Sequence, residues 1–283
     1  MPSQSLFPSI SFIIIGLIVM IRLMHYAKFY APSYLFWIGT IISIIGSVSL
    51  FQPLSFLFIL NRDIALVVLI VGVLICLASL LYPVKLTHSK TDNQKIDGLI
   101  PAFAFNEYHE VKISAPVEKV KEVMQITGVK DIPIAHFLMK IRGIADENVD
   151  MSDRAASNSS NSETISTPDF NFYNVSPDEW LAVMVLKSSF ISNDKQTPAP
   201  PEISSLEQFC SFNNPHYVKV AINFRFISLT NNETLLSTET RVNGITPKDS
   251  RIFARYWRII YPGSAIIRRV WLNTIKKRSE KHY

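Results

Sequence analysis

The clearest β-strand signal in the chain reads YVKVAINFRFISL, from Tyr217 to Leu229. Apolar side chains recur at every second position, which is the period that places them on one face of a strand. That face holds Val218, Val220, Ile222, Phe224 and Phe226, and the mixed opposite face holds Tyr217, Lys219, Asn223 and Arg225. TNNET (230–234) is predicted to be a hairpin turn after which TLLSTETRV (234–242) pairs back. The centre of the domain is therefore predicted to be an antiparallel sheet.

A long helix is predicted directly after this hairpin. Thr246 is a typical N-cap, Pro247 takes the first helical position, and Asp249 lies three residues after the cap. Aromatic and aliphatic residues then form one stripe along the helix. The opposite face is predicted to be basic and carries Arg251, Arg255 and Arg258. Pro262 has no backbone donor, so we expect a kink or break there.

The segment before the hairpin predicts a mixed fold. A short strand is expected up to Ile113, and a helix start follows at Pro116 with Glu118 in the first turn. DIPIAHFLMKIRG (131–143) is predicted to be a second amphipathic helix. The remaining segments are expected to be strands at 170–173 and 180–190 and loops at 145–169 and 193–202. This order indicates an α+β fold, with an antiparallel sheet and a long C-terminal helix.

Residues 1–83 are predicted to form a transmembrane region. Only four charged side chains occur between residues 6 and 82, and a membrane-spanning helix needs about 20 mainly apolar residues. We expect three such helices, at about 7–26, 33–52 and 64–82. A cleaved signal peptide and buried core helices are less favoured alternatives, and residues 53–60 either extend the second span or lie at the interface. Residues 84–105 are expected to be a linker, and 106–283 the folded domain.

Basic residues set the predicted orientation of these spans. Arg22 and Lys28 lie between the first two spans, and three lysines follow the third, namely Lys85, Lys90 and Lys95. Both groups lie on the same side of three helices, and short cytoplasmic segments carry the excess of Lys and Arg. The N-terminus is therefore predicted outside and the C-terminal domain in the cytoplasm. Two cysteines far apart in the chain suit a reducing compartment.

Two further motifs carry a family resemblance. ISAPVEKVKEVM resembles the opening strand and helix of SRPBCC or START-like domains, and RYWRIIYPGSAIIRRVWLNTIKKR resembles the last helix of a membrane-anchored bacterial branch of that superfamily. The resemblance covers roughly residues 106–280. It implies a helix-grip fold of the polyketide cyclase/dehydrase-like kind, in which a curved antiparallel sheet surrounds the last helix. It also implies a location in the bacterial inner (plasma) membrane.

The same resemblance implies a pocket for a hydrophobic molecule between the sheet and the last helix. Strand alternation assigns its walls to Val111, Ile113, Val220, Ile222, Phe224, Phe226 and Trp257. The alternative is that these side chains simply pack together as a solid core. Sequence alone leaves both possibilities open.

The sequence holds no strong catalytic motif. It has no G-x-S-x-G, no H-E-x-x-H and no glycine-rich phosphate loop. Glu239 and Arg241 alternate on one strand and are expected to form a structural ion pair, facing Arg255 or Arg258. We expect no catalytic residues, no metal and no cofactor. A cyclase- or hydrolase-like enzyme is the least favoured reading.

The C-terminal segment combines an apolar stripe with a strong positive charge. Residues 251–283 hold nine Lys and Arg against one Glu, and an anionic cytoplasmic leaflet attracts such a segment. Contact with the membrane surface is therefore predicted for Arg268, Arg269, Lys276, Lys277, Arg278 and Lys281. The expected partners are membrane lipids and a hydrophobic small molecule, and no nucleic acid. The predicted function is a membrane-anchored lipid-binding module, with a solid interaction domain that recruits a protein partner as the alternative.

Overall fold

The computed structural model describes residues 30–89, 94–128, 164–166, 171–189 and 197–281. The chain divides into two compact units. The first comprises Met1–Pro83 and Ala254–Pro262, and the second comprises Val84–Phe253 and Gly263–Tyr283. The predicted first span (7–26) and the predicted helix at 131–143 lie outside the described residues.

The first unit contains two apolar helices that pack closely against each other. Helix α1 spans Ala31–Phe51 and α2 spans Arg62–Leu81, with a short 3-10 turn at Ser55–Leu57 between them. A Cβ on Gly46 would lie 2.5 Å from the backbone nitrogen of Leu69, so only glycine allows this approach. In the part of the chain that the structure describes, α1 and α2 are the two helices long and apolar enough to cross a membrane.

The second unit is built on a six-stranded antiparallel sheet. Its strands follow the spatial order β3-β8-β7-β6-β5-β4. Their bounds are β3 Phe105–Ile113, β4 Thr164–Ser166, β5 Asn171–Ser176, β6 Glu179–Lys187, β7 Tyr217–Thr230 and β8 Glu233–Gly244. A smaller ladder pairs β1 (Thr87–His88) with β2 (Ala102–Phe103). The predicted α+β class with an antiparallel sheet is confirmed, although β4 occupies part of the segment expected to be a loop.

Three short helices of the second unit lie among the described residues. They are α3 at Lys95–Leu99, α4 at Val117–Ile126 and α5 at Leu206–Ser211. Residues 84–105, which were expected to be a linker, therefore hold β1, α3 and β2. Ile96, Ile100 and Phe103 from this segment are buried with Phe209 of α5 against β6 and β7. The face of β7 predicted to be mixed is thus largely covered.

The last helix, α6, spans Pro247–Glu280 and begins with the predicted cap. Thr246 and Asp249 form a capping box there. The predicted break at Pro262 does not occur, because the helix continues through it. Proline cannot donate to the carbonyl four residues earlier, but that carbonyl, on Arg258, accepts from Ser33 Oγ at 2.6 Å instead. Trp37 Nε1 likewise donates to the carbonyl of Ile259 at 3.1 Å.

Arg258 departs from the prediction that it lies on an exposed basic face. It is only 1% exposed. Its Nη1 donates to the Leu80 carbonyl at 2.6 Å, and its Nη2 donates to the Tyr82 carbonyl. These carbonyls lie at the end of α2, where a helix leaves its last acceptors unpaired. Arg258 therefore supplies hydrogen-bond donors to the end of that helix within the first unit, while Arg251 and Arg255 are exposed as expected.

Candidate ligand-binding site

The site lies on one face of the sheet, here called the inner face, in the second unit. Residues directly opposite each other in antiparallel strands share a face. Glu107 pairs with Thr240 and, across β8, Thr240 pairs with Ile222. In the next row on the same face, His109 pairs with Thr238, which pairs with Phe224. In these two rows, polar side chains therefore lie on β3 and β8, and apolar side chains lie on β7.

Glu107 is the centre of the polar half. It is 2% exposed, as is His109, and Glu107 Oε1 lies 3.0 Å from His109 Nε2. Ser264 of α6 donates its hydroxyl to Glu107 Oε2 at 2.8 Å. Glu107 and His109 point the same way because they are two residues apart on one strand. The serine bonds to the carboxylate, so the geometry is not that of a serine activated by a histidine base.

Arg268 supplies a positive charge beside this carboxylate. Its Nε lies 3.9 Å from Glu107 Oε1, and its Nη1 donates to Thr238 Oγ1 at 3.1 Å. The two side chains are 12% and 1% exposed. Burial of a charged group costs much less when an opposite charge accompanies it. Among the described residues, the polar half thus carries one carboxylate, Glu107, with the titratable His109 and the cationic Arg268 beside it.

Thr240 contributes a buried hydroxyl to this cluster. The residue is 4% exposed and its Oγ1 is buried, yet among the described residues that oxygen has no hydrogen-bond partner. Buried polar groups in folded proteins are nearly always hydrogen-bonded. By strand register Thr240 lies between Glu107 of β3 and Ile222 of β7, where the polar and the apolar halves of the inner face meet.

Aromatic side chains dominate the apolar half. Phe224 lies edge-on to Trp271 of α6, with ring centroids 5.1 Å apart. Trp180 lies 4.7 Å from Phe226, and Phe172 lies 5.5 Å from Phe224. The indole nitrogen of Trp271 donates to the Thr127 carbonyl at 3.1 Å, which orients its ring. Together these rings form a wide apolar surface next to the polar cluster.

The structure brings most of the predicted wall residues together. By strand register the inner face contains Val111, Ile113, Val220, Ile222, Phe224 and Phe226. All are buried except Val111, which is half-buried. Trp257 belongs to the first unit, where its ring lies 6.0 Å from that of Tyr261.

The opposite, outer face of the sheet holds the predicted ion pair. Arg241 Nε donates to Glu239 Oε1 at 2.8 Å. The pair was predicted to face Arg255 or Arg258. Its additional partner is instead Asp97, whose Oδ1 accepts from Arg241 Nη1 at 2.7 Å. Burial acts to raise the pKa of the Asp97 carboxyl, but hydrogen bonds from Ser89 and Arg241 outweigh it and hold that pKa below its ordinary value. This network, which Asn106 and Asn223 extend, is fully bonded and reads as structural.

The basic residues predicted to touch the membrane surface occupy different environments. Lys277 and Lys281 are exposed, and Arg269 is half-buried. Lys276 donates to the Lys112 carbonyl at 2.8 Å, and Arg278 donates to Thr127 Oγ1 at 3.1 Å. Arg268 is directed at Glu107, so it belongs to the inner-face site.

Sequence reasoning missed Glu107, Thr240 and Ser264 as site residues. Glu107 could have been found, because strand alternation through His109, Val111 and Ile113 places position 107 on the same face. Within the described ranges, no group of three or more His, Cys, Asp or Glu side chains is arranged to hold a metal ion. No protein-family model, no curated protein and no solved structure matches this chain.

Proposed function

We propose that the protein is a membrane-anchored module that holds a hydrophobic or amphipathic ligand between the inner face and α6, without catalysing a reaction. The observation that carries this proposal is the composition of the inner face. A polar cluster around Glu107 adjoins an aromatic surface around Phe224, and both are buried. Ligand sites of this kind combine mainly apolar walls with a few placed polar groups. The helix-grip arrangement implied by the sequence resemblance is part of this proposal.

The membrane anchor is part of the same proposal. Helices α1 and α2 support it by their length and composition, and a third span at 7–26 is proposed from the sequence. The Lys residues that follow α2 favour a cytoplasmic location for the second unit. Exposed Lys277 and Lys281 are suited to contact with anionic headgroups.

A second candidate function is a solid interaction domain that recruits a protein partner to the membrane. The observation in its favour is that Val220, Ile222, Phe224 and Phe226 are each under 10% exposed. Side chains buried to this degree are also what a filled core would contain.

The two candidate functions are distinguished by purifying the full chain in mild detergent, extracting its bound lipid and analysing the extract by mass spectrometry. The proposal expects one defined hydrophobic compound in near-stoichiometric amount. Ile222→Trp should fill the site and remove that compound, whereas the matched control Leu229→Trp, at an exposed position on the same strand, should keep it. Circular dichroism checks that both variants fold. A wild-type extract with no defined compound contradicts the proposal and favours the interaction domain.

A further inference from the structure

We propose that the inner-face site recognises the hydroxyl group of an amphipathic alcohol, which bonds to Thr240 and Glu107 while its apolar body lies over β7. This inference rests on the proposed function and adds the chemical class of the ligand. It begins from Thr240 Oγ1, a buried hydroxyl that has no hydrogen-bond partner among the described residues. A hydroxyl both donates and accepts a hydrogen bond, so a ligand group of the same kind would satisfy it.

The carboxylate of Glu107 can accept a further hydrogen bond. A carboxylate offers about four lone-pair sites. In Glu107, Oε1 faces His109 and Oε2 accepts from Ser264. Because Glu107 and Thr240 are directly opposite each other on neighbouring strands, their Cβ atoms are about 5 Å apart. One ligand hydroxyl can therefore donate to the carboxylate and accept from Thr240.

The charges of the cluster disfavour the other common polar ends of lipids. A ligand carboxylate or phosphate would lie beside Glu107, and a ligand ammonium would lie beside Arg268. With His109 neutral, either would add an uncompensated buried charge to the pair of Glu107 and Arg268, whose Oε1 and Nε lie 3.9 Å apart. A neutral group avoids this cost. An ether is neutral too, but it cannot donate to the carboxylate.

The apolar half determines where the rest of the ligand lies. Ile222 is directly opposite Thr240 on the β7 side, and Phe224 with Trp271 lies one row further along. A hydroxyl bonded to Thr240 therefore has apolar side chains on one side and the polar cluster on the other. The expected ligand carries its hydroxyl at the end or edge of a hydrocarbon body.

The test uses four ligands that differ only at the polar end of a saturated sixteen-carbon chain. They are hexadecan-1-ol, its methyl ether, hexadecanoate and hexadecylamine. Each is titrated separately into the delipidated full chain in detergent, and the bound fraction is read by native mass spectrometry. The alcohol is expected to bind about fivefold or more tightly than the ether, the order expected for one hydrogen bond. The acid and the amine are expected to bind more weakly than the alcohol.

Two threonine variants test whether Thr240 bonds to the ligand hydroxyl. Thr240→Val keeps the shape and removes the hydrogen bond that Thr240 donates to the ligand oxygen, so the affinity for the alcohol should fall about fivefold. Thr274→Val is the matched control, because the hydroxyl of Thr274 bonds to its own helix at the Val270 carbonyl, and its affinity for the alcohol should equal that of the wild type. If Thr240→Val does not fold, the preference of the wild-type chain for the alcohol over the ether still tests the proposal.

The outcomes separate this inference from the proposed function. Equal binding of alcohol and ether by the wild-type chain, or preference for the acid or amine, overturns the hydroxyl assignment while ligand binding stands. An affinity for the alcohol that is unchanged in Thr240→Val overturns the role of Thr240. If none of the four compounds binds and lipid extraction yields no defined compound, the proposed function itself fails.

Discussion

Asp97 connects the stability of the second unit to pH. Its carboxyl accepts from Arg241 and Ser89, and its folded-state pKa lies below the ordinary value of 3.8. A group with a lowered folded pKa stabilises the fold above its unfolded pKa, and this contribution is lost as the pH falls through the folded pKa. The contribution of Asp97 should therefore be fully present above about pH 4 and decline below it.

Asp97→Asn tests this directly. The variant should be less stable than the wild type at neutral pH, and its stability should depend less on pH in the acid range. Urea unfolding of the full chain in detergent, followed between pH 2 and pH 6, measures both effects. The matched control Asp178→Asn changes an exposed carboxyl, and we expect only a small effect from it. Equal acid sensitivity in Asp97→Asn and the wild type would contradict the assignment.

Helix α6 shows how a residue remote in sequence can support a helix across a proline. Ser33 donates to the carbonyl of Arg258, which Pro262 cannot serve. Ser33→Ala should cost about 1 kcal/mol, because it leaves that carbonyl without its side-chain donor. In the background of Pro262→Ala, the restored backbone N–H can take the place of the serine. The cost of Ser33→Ala should then be smaller.

A double-mutant cycle measures this coupling. The free energy of unfolding is determined for the wild type, Ser33→Ala, Pro262→Ala and the double variant in the same detergent. Ser43→Ala is the control, because its hydroxyl bonds within α1 to the Gly39 carbonyl, and its effect should not depend on residue 262. Additive effects of Ser33→Ala and Pro262→Ala would mean that the serine does not substitute for the missing donor.

These elements also show how far the sequence alone could predict the molecule. The inward faces of β3 and β7 were predictable, because strand alternation depends only on local spacing. The continuity of α6 through Pro262 was not predictable, because the donor to the Arg258 carbonyl is Ser33, which lies in a helix remote in sequence. Residues 84–105 were predicted to be a linker because their helix, α3, is only five residues long and gives no clear sequence pattern. A helix that short is stable only through packing against the rest of the fold. The unpaired state of Thr240 depends on every neighbour of its oxygen, which no local pattern encodes.

At the scale of the whole molecule, the basic residues make a prediction about membrane orientation. Helix α1 begins after Tyr30 and α2 ends before Tyr82, so in a hairpin of two spans these ends lie on the same side of the membrane. Lys85 and Lys95 follow α2, and the excess of Lys and Arg marks the cytoplasmic side. A reporter after Tyr283 should therefore be active only in the cytoplasm, and one inserted at Gln52 only outside. The reverse pattern would contradict the cytoplasmic assignment.

The division of α6 between the two units has a consequence for biosynthesis. Ala254–Pro262 belongs to the first unit, and Gly263 onwards belongs to the second. When α2 leaves the ribosome, the Leu80 and Tyr82 carbonyls lack their hydrogen bonds from Arg258, which is synthesised much later. The inner face likewise lacks its contacts with Ser264 and Trp271 at that stage. Both units therefore depend on contacts from the same late segment. A chain that ends before Ala254 would expose the end of α2 and the inner face of the sheet to the chaperones and proteases of the cell.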